Sequence, residues 1–219
     1  MNRRGKPGEA FPPLAPRPAN ARFSTHSAPA NAGTNGVAEE EADALDVTAA
    51  RTGDEEAFGR LIARHQREIA GQMYRFTRDA ATHEELVHDV FVEAFLSLPG
   101  YRGQAPFLWW LRKIAVRVGY RYWEQRRRSR AEITLADEEW ERLRGTLPAP
   151  TAESELAELA HRALAQLAPT DRLVLTLQYL ESYSMTEIAA ATGWTVPGTK
   201  VRAFRARARL KKLLDRERT

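Results

Sequence analysis

The stretch Ser184–Leu214, SMTEIAAATGWTVPGTKVRAFRARARLKKLL, constrains the chain most, because it contains a start, a stop and a second start for helices within about a dozen residues. Ser184 with Glu187 has the S-x-x-E spacing of a capping box, in which each side chain satisfies an orphan backbone N–H at a helix start. The short helix Met185–Ala191 buries Ile188 and Ala189 and ends at Gly193, a residue free to take the left-handed cap conformation. Thr195 and Pro197 open a second helix with a capping hydroxyl and a pre-set first-turn φ. That helix carries Lys200, Arg202, Arg205, Arg207, Arg209, Lys211 and Lys212 before its first acid, Asp215. Val201, Phe204, Ala208 and Leu214 fall near one apolar stripe, with Leu210 and Leu213 beside it. A short capped helix, a tight turn and an arginine-rich amphipathic helix fit a helix-turn-helix that reads DNA. The same charge run, taken alone, fits a solvated C-terminal helix equally well, and the ordered cap signals decide between the two.

Charge distribution supports a polyanionic partner. The net charge is only +4, but the pI is about 9.6 and the basic residues are clustered. Cysteine is absent, which excludes a disulfide framework and thiolate metal sites and suits a reducing, cytoplasmic location. No apolar run approaches the length of a bilayer span, and Arg3, Arg4 and Lys6 have no apolar segment behind them, so neither membrane insertion nor a secretory signal is expected.

Residues 1–46 are rich in Pro, Ala, Asn and Gly without apolar periodicity and are expected to form a disordered N-terminal extension. From residue 47 the pattern turns helical. In DEEAFGRLIARHQREIAGQMYRFT, Phe58, Leu61, Ile62, His65, Ile69 and Met73 recur at three and four residues. A following helix takes Thr82 as its cap, with Glu84 and Glu85 complementing the dipole, and buries Leu86, Val90, Phe91, Ala94, Phe95 and Leu98. Pro99–Gly100 ends it, and Tyr101–Ala105 forms a loop.

A long helix runs from about Pro106 to Arg128. Phe107, Trp110, Leu111, Ile114 and Val118 make its apolar stripe, with Trp109, Lys113, Arg117, Tyr120 and Arg121 on the opposite side. Trp109, Tyr120, Tyr122 and Trp123 fit either a core or a surface on which single-stranded bases stack while arginines follow phosphates. Residues 129–152 read as an acidic, proline-ended linker, and 153–216 as a second helical unit containing the helix-turn-helix. The expected fold is all-α: two small helical domains, 47–128 and 153–216, joined by a flexible linker.

No catalytic constellation emerges. His83 and His88 are five apart, about 140° around a helix, whereas a zincin pair needs four. No phosphate-binding glycine loop or nucleophile elbow is present, so neither an enzyme, a cofactor, a metal nor a small-molecule substrate is expected.

Taken in order, these residues resemble the extracytoplasmic-function sigma factors of bacterial RNA polymerase. The resemblance spans about 47–215. It rests on Glu84-Glu85-Leu86-Val87-His88-Asp89-Val90-Phe91, on Tyr101-Arg102-Gly103 with Phe107, Trp110-Leu111 and Ile114-Ala115, and on Leu167, Pro169, Arg172 and Tyr179-Leu180-Glu181. Glu187-Ile188-Ala189 and Phe204-Arg205-Ala206-Arg207 complete it. Three departures stand out: Arg117 and Arg121 replace common Asn and Asp, Gly198–Thr199 comes one residue late, and Thr82 replaces the first acid of the acidic segment.

The resemblance implies a sigma-2-like domain and a sigma-4-like domain that bind core RNA polymerase, recognise −10 and −35 promoter elements and promote melting and initiation. Glu84, Glu85, Leu86, Asp89, Val90 and Phe91 would contact polymerase. Tyr101, Arg102 and Gln104, with Trp109, Lys113, Arg117, Tyr120 and Arg121, would hold the melted −10 strand. Thr199, Lys200, Arg202, Arg205 and Arg207 would enter the −35 groove or grip its phosphates. An anti-sigma factor is a further implied partner. The alternative reading is a stand-alone helix-turn-helix regulator, which would ordinarily dimerise; no heptad seam for that is present, and stacking rings have little use on duplex DNA.

Overall fold

The computed structural model describes residues 35–132 and 161–217. The described residues are helical, with no strand among them: α1 (Asn35–Arg51), α2 (Glu55–Met73), α3 (Ala80–Ser97), α4 (Phe107–Glu132), α5 (161–165), α6 (Pro169–Leu175), α7 (Met185–Thr192) and α8 (Val196–Glu217). A 3-10 turn, Leu98–Gly100, follows α3, and a π-helical turn, Thr176–Leu180, extends α6. Residues 133–152 of the expected linker, 153–160 of the expected second unit and the tail 1–34 lie outside the described residues, while 129–132 continue α4.

The first unit begins earlier than its composition suggests. The extension expected over 1–46 contains the first two-thirds of α1, because Asp43 and Asp46 turn inward onto α2. Arg64 bonds both carboxylates, Arg60 reaches Asp46 at 2.8 Å, and the buried His65 Nε2 lies 2.9 Å from both Asp43 oxygens. Burial pushes the Asp46 carboxyl up, but hydrogen bonds from Arg64 and Arg60 outweigh it and leave the group below its ordinary value. A segment acidic on its surface is thus held by buried charge pairs that periodicity alone does not reveal.

α2 starts on Asp54, whose carboxylate accepts from Ala57 N at 3.0 Å. The cap of α3 is Asp79, three residues before the expected Thr82. Asp79 accepts from the Thr82 amide at 2.9 Å and from its hydroxyl at 2.6 Å, since a carboxylate is the stronger acceptor at a helix start. Phe95, expected in the core, is half-exposed and meets Phe58 edge-on, with ring centroids 5.0 Å apart.

α4 is the central element. Leu111, Ile114, Ala115 and Val116 are fully buried against α2 and α3, and Gly119 lets the Phe76 ring lie against the helix backbone, where a Cβ would meet the ring at 2.3 Å. Phe76 packs on Trp123 with centroids 4.5 Å apart, and Trp123 Nε1 donates to the Phe76 carbonyl at 2.8 Å. The second unit packs directly on this helix. Arg172 sits 4.0 Å over the Trp123 ring, Tyr120 Oη lies 3.2 Å from Thr170 Oγ1, and Arg75 donates to Glu181 at 3.0 Å. The two units therefore share one apolar cluster running from α2 through α4 to α6, α7 and α8.

The helix-turn-helix forms as its caps dictate. Ser184 Oγ accepts from Glu187 N and the Glu187 carboxylate accepts from Ser184 N at 2.8 Å, while Gly193 takes φ +73°. Thr195 Oγ1 then accepts from Gly198 N at 3.2 Å to start α8. The expected apolar stripe of α8 is rotated: Thr199, Ala203 and Ala206 face the core, with Leu210 and Leu213 half-buried, while Val201, Phe204 and Leu214 are exposed. Small side chains let α8 approach α6 and α7 closely, which turns the larger apolar residues outward.

Candidate nucleic-acid interface

Three surfaces carry the expected contacts, and packing redraws each. On α8, Lys200, Arg205 and Arg207 are exposed as expected, with Arg207 donating to Gln178 at 3.3 Å. Arg202 lies 4.5 Å over the Trp194 ring, so its guanidinium is stacked as well as charged. Thr199 does not belong to the surface. It is 0% exposed, and its hydroxyl donates to the Thr195 carbonyl at 3.0 Å, as a β-branched residue on the core side of a first turn can. In its place Lys200, Val201, Phe204, Arg205 and Ala208, spaced at three and four residues, make one outward face, with Phe204 68% exposed. Hydrophobicity alone places Val201 and Phe204 in the core, and packing turns both to solvent. Arg209 is spoken for by an ion pair with the buried Asp171.

On α3, Glu84, Glu85 and Asp89 are exposed, but Leu86, Val90 and Phe91 are buried against α2 and α4 and present nothing to a partner. The exposed apolar residues beside the acids are Val92, Phe95 and Leu96, the last 72% exposed. Val92 lies one turn from Asp89 and Phe95 and Leu96 about two, a spacing that puts them on the acidic face of the helix.

The third surface comprises the loop after α3 and the flank of α4. Arg102 and Gln104 are exposed, and Gly103 turns the loop at φ +66°. Tyr101 folds back: its hydroxyl donates to the Ala105 carbonyl at 2.6 Å, and its ring packs 5.0 Å from Trp110 and 5.8 Å from Phe107. Burial pushes the Tyr101 phenol up to about 12. Trp109 remains half-buried, with Lys113 Nζ 4.5 Å over its ring. Tyr120 departs from the expected outward face; it is 8% exposed and closed over by Thr170 of α6. Arg117 is half-buried and Arg121 exposed, and both bond Glu93 of α3, at 2.9 and 2.6 Å. Burial lowers Arg117 below an ordinary arginine, with Glu93 opposing the shift and Arg121 adding to it.

Each of the two helical units matches a known protein family. Residues 61–129 match sigma-70 region 2, and residues 157–210 match sigma-70 region 4. The chain belongs to the sigma-70 family. Its two regions are homologous to those of extracytoplasmic-function sigma factors. The RNA polymerase sigma-H factor of Pseudomonas aeruginosa is 28% identical over 80% of this chain and 95% of that protein. The ECF RNA polymerase sigma-E factor of Escherichia coli K12 is 27% identical over 78% of this chain and 93% of its own length. A solved structure of CnrH in complex with the cytosolic domain of CnrY is 29% identical, covers 80% of this chain and 97% of that one, and superposes with a TM-score of 0.52. The sigma factor described here accordingly acts in promoter recognition and transcription initiation as an alternative sigma factor, with core RNA polymerase and promoter DNA as partners. No described helix is long and apolar enough to cross a membrane.

Proposed function

We propose that each of the three surfaces serves one step of initiation. The outward face of α8, with Lys200, Val201, Phe204 and Arg205 and with Arg202 and Arg207 at its margins, enters the −35 major groove. Arginine can read guanine bidentately there, and the Phe204 ring suits a thymine methyl group. Glu84, Glu85 and Asp89 with Val92, Phe95 and Leu96 form an amphipathic docking face for core polymerase. The loop residues Arg102 and Gln104, together with Trp109, Lys113 and Arg121, hold the melted −10 strand. Base extrusion there costs a few kcal/mol of stacking, which loop contacts must offset. The sigma factor works in the cytoplasm as a non-enzymatic subunit and is sequestered by an anti-sigma protein.

The observation that carries this reading is the coherent face of α8, where cations and an exposed ring share a helix already fixed by its buried small residues. The test is reconstitution. The chain should co-elute with bacterial core RNA polymerase, and transcription from a −35/−10 template should require it. Leu96→Asp should abolish co-elution while leaving the isolated fold intact. Duplex binding without any association with core would sink the docking assignment.

A further inference from the structure

Glu93 lies within bonding distance of two of the expected −10 cations. Its Oε1 accepts from Arg117 Nη2 at 2.9 Å and its Oε2 from Arg121 Nη2 at 2.6 Å, so a single carboxylate from α3 bridges two guanidiniums one helical turn apart on α4. The environments of the two arginines differ. The Arg117 side chain is 15% exposed, and its Nε is buried without a hydrogen-bond partner, whereas the Arg121 side chain is 54% exposed. Arg117 therefore cannot reach a passing strand without leaving Glu93, while Arg121 can turn towards one by exchanging one oxygen ligand for another. A DNA phosphate approaching Arg121 meets an acceptor already in place, and that acceptor repels it.

We propose that Glu93 is a positioning and selectivity residue of −10 strand capture: it competes with DNA phosphate for Arg121 and is itself anchored by Arg117. The assignment rests on reading the α4 flank as the strand surface. Arg117 acts through Glu93 and does not contact DNA. A phosphate from solution must displace a carboxylate that the fold and Arg117 already hold in place, so indiscriminate single strands gain little from Arg121. A strand whose bases are also seated by the loop Arg102–Gln104 and by Trp109 holds its phosphate against Arg121 long enough to displace Glu93. Backbone affinity, which carries no sequence information, is thereby held down relative to base contacts.

Counterion release provides the measurement. Each phosphate neutralised on a single strand steepens the slope of log affinity against log salt by about 0.7. Fluorescence anisotropy of the full chain with a mixed-sequence fluorescein-labelled single-stranded oligonucleotide, titrated over KCl, compares wild type with Glu93→Gln, Arg121→Gln and the double variant. Glu93→Gln should tighten low-salt binding severalfold and steepen the slope by about 0.7, one further phosphate contact. Arg121→Gln sets the baseline without that cation, and adding Glu93→Gln to it should bring no further gain in affinity or slope. An unchanged affinity and slope in Glu93→Gln overturns the proposal, as does a gain that survives Arg121→Gln. Should Glu93→Gln fail to fold, Glu93→Asp, whose shorter side chain loosens the bridge to Arg121, takes its place in the same cycle, and an unchanged affinity and slope there overturns the proposal. Wild-type protein that binds no strand at low salt removes the α4 strand surface and this proposal together, whereas strand binding indifferent to Glu93 removes only the latter.

Discussion

α4 and α8 look alike as sequence and behave as opposites in the fold. Each is a long helix mixing arginines with aromatic and aliphatic residues. In α4 the large side chains point inward: Trp110, Leu111, Ile114 and Trp123 are buried, and the flanking arginines Arg112, Arg117 and Arg121 are paired with Glu68 and Glu93. In α8 the small side chains point inward, and Phe204 and Val201 are exposed among cations. The first helix is a structural axis whose cations are restrained by neighbours; the second is fixed to the core by alanines and presents its cations and a ring to solvent. A charge run thus reports potential partners, and packing decides which of its charges are available to them.

The sharpest way to break this contrast is to make the same kind of truncation on both helices. Trp123→Ala should cost about 3–5 kcal/mol of folding stability, because the ring is buried against Phe76 and carries Arg172 on its other face. Phe204→Ala should change stability by no more than about 0.5 kcal/mol, since that ring faces solvent. Its loss should appear in duplex binding to a −35 site. Denaturant titration of both variants checks the pair, and a large stability loss for Phe204→Ala would place that ring in the core after all.

A smaller separation is expected for the arginines. Arg205→Ala should weaken binding to a cognate duplex by about 1–3 kcal/mol, roughly five- to 150-fold, with stability unchanged. Arg117→Ala should leave duplex affinity alone and shift stability by about 1 kcal/mol, because its partner Glu93 keeps Arg121. Competition binding and thermal melts of the two proteins measure both quantities. Equal losses of duplex affinity would erase the distinction between the helices.

The helix-turn-helix was legible because its determinants are local: Ser184, Glu187, Gly193 and Thr195 make the bonds that their spacing predicts. The order of the elements and the cation-bearing helices were legible for the same reason. What the sequence concealed is non-local. Asp43 and Asp46 extend the first unit because their partners lie on another helix, at Arg60, Arg64 and His65. Hydrophobicity places Phe204 and Phe95 in the core, the family resemblance places Thr199 on the −35 face, and helical position places Tyr120 opposite the apolar stripe; packing reverses all four. Each reversal follows from which side of a helix a neighbouring element occupies. One hundred degrees of helical rotation separates adjacent residues, so a one-residue shift in the chosen stripe exchanges core for interface. The seam between the units was equally hidden, since Arg75–Glu181 and Arg172–Trp123 join residues far apart in the chain.

That seam and the α1 clamp should respond to pH with opposite sign, and this is the smallest effect of the set. Burial raises the Glu181 carboxyl above 4.5, and the hydrogen bond from Arg75 offsets only part of the shift. A carboxyl raised by folding favours its protonated form in the fold, so its contribution is full below pH 4.5 and is lost as pH rises through the folded value. Asp46 is the reverse. It is held below 3.8 by Arg64 and Arg60 despite burial, so its contribution is present above pH 3.8 and is lost as pH falls through the lower folded value. Asp46→Asn should therefore destabilise at pH 7, with a penalty that shrinks below pH 3.8. Glu181→Gln, neutral at every pH, should gain on wild type between pH 4 and pH 7 by less than about 1 kcal/mol, because wild type alone must charge a partly buried group. Urea unfolding of both variants across that range gives the two slopes. If Glu181→Gln instead falls behind wild type as pH rises, the Arg75 pair outweighs burial, and the seam is held by charge where the α4 core beneath it is held by packing.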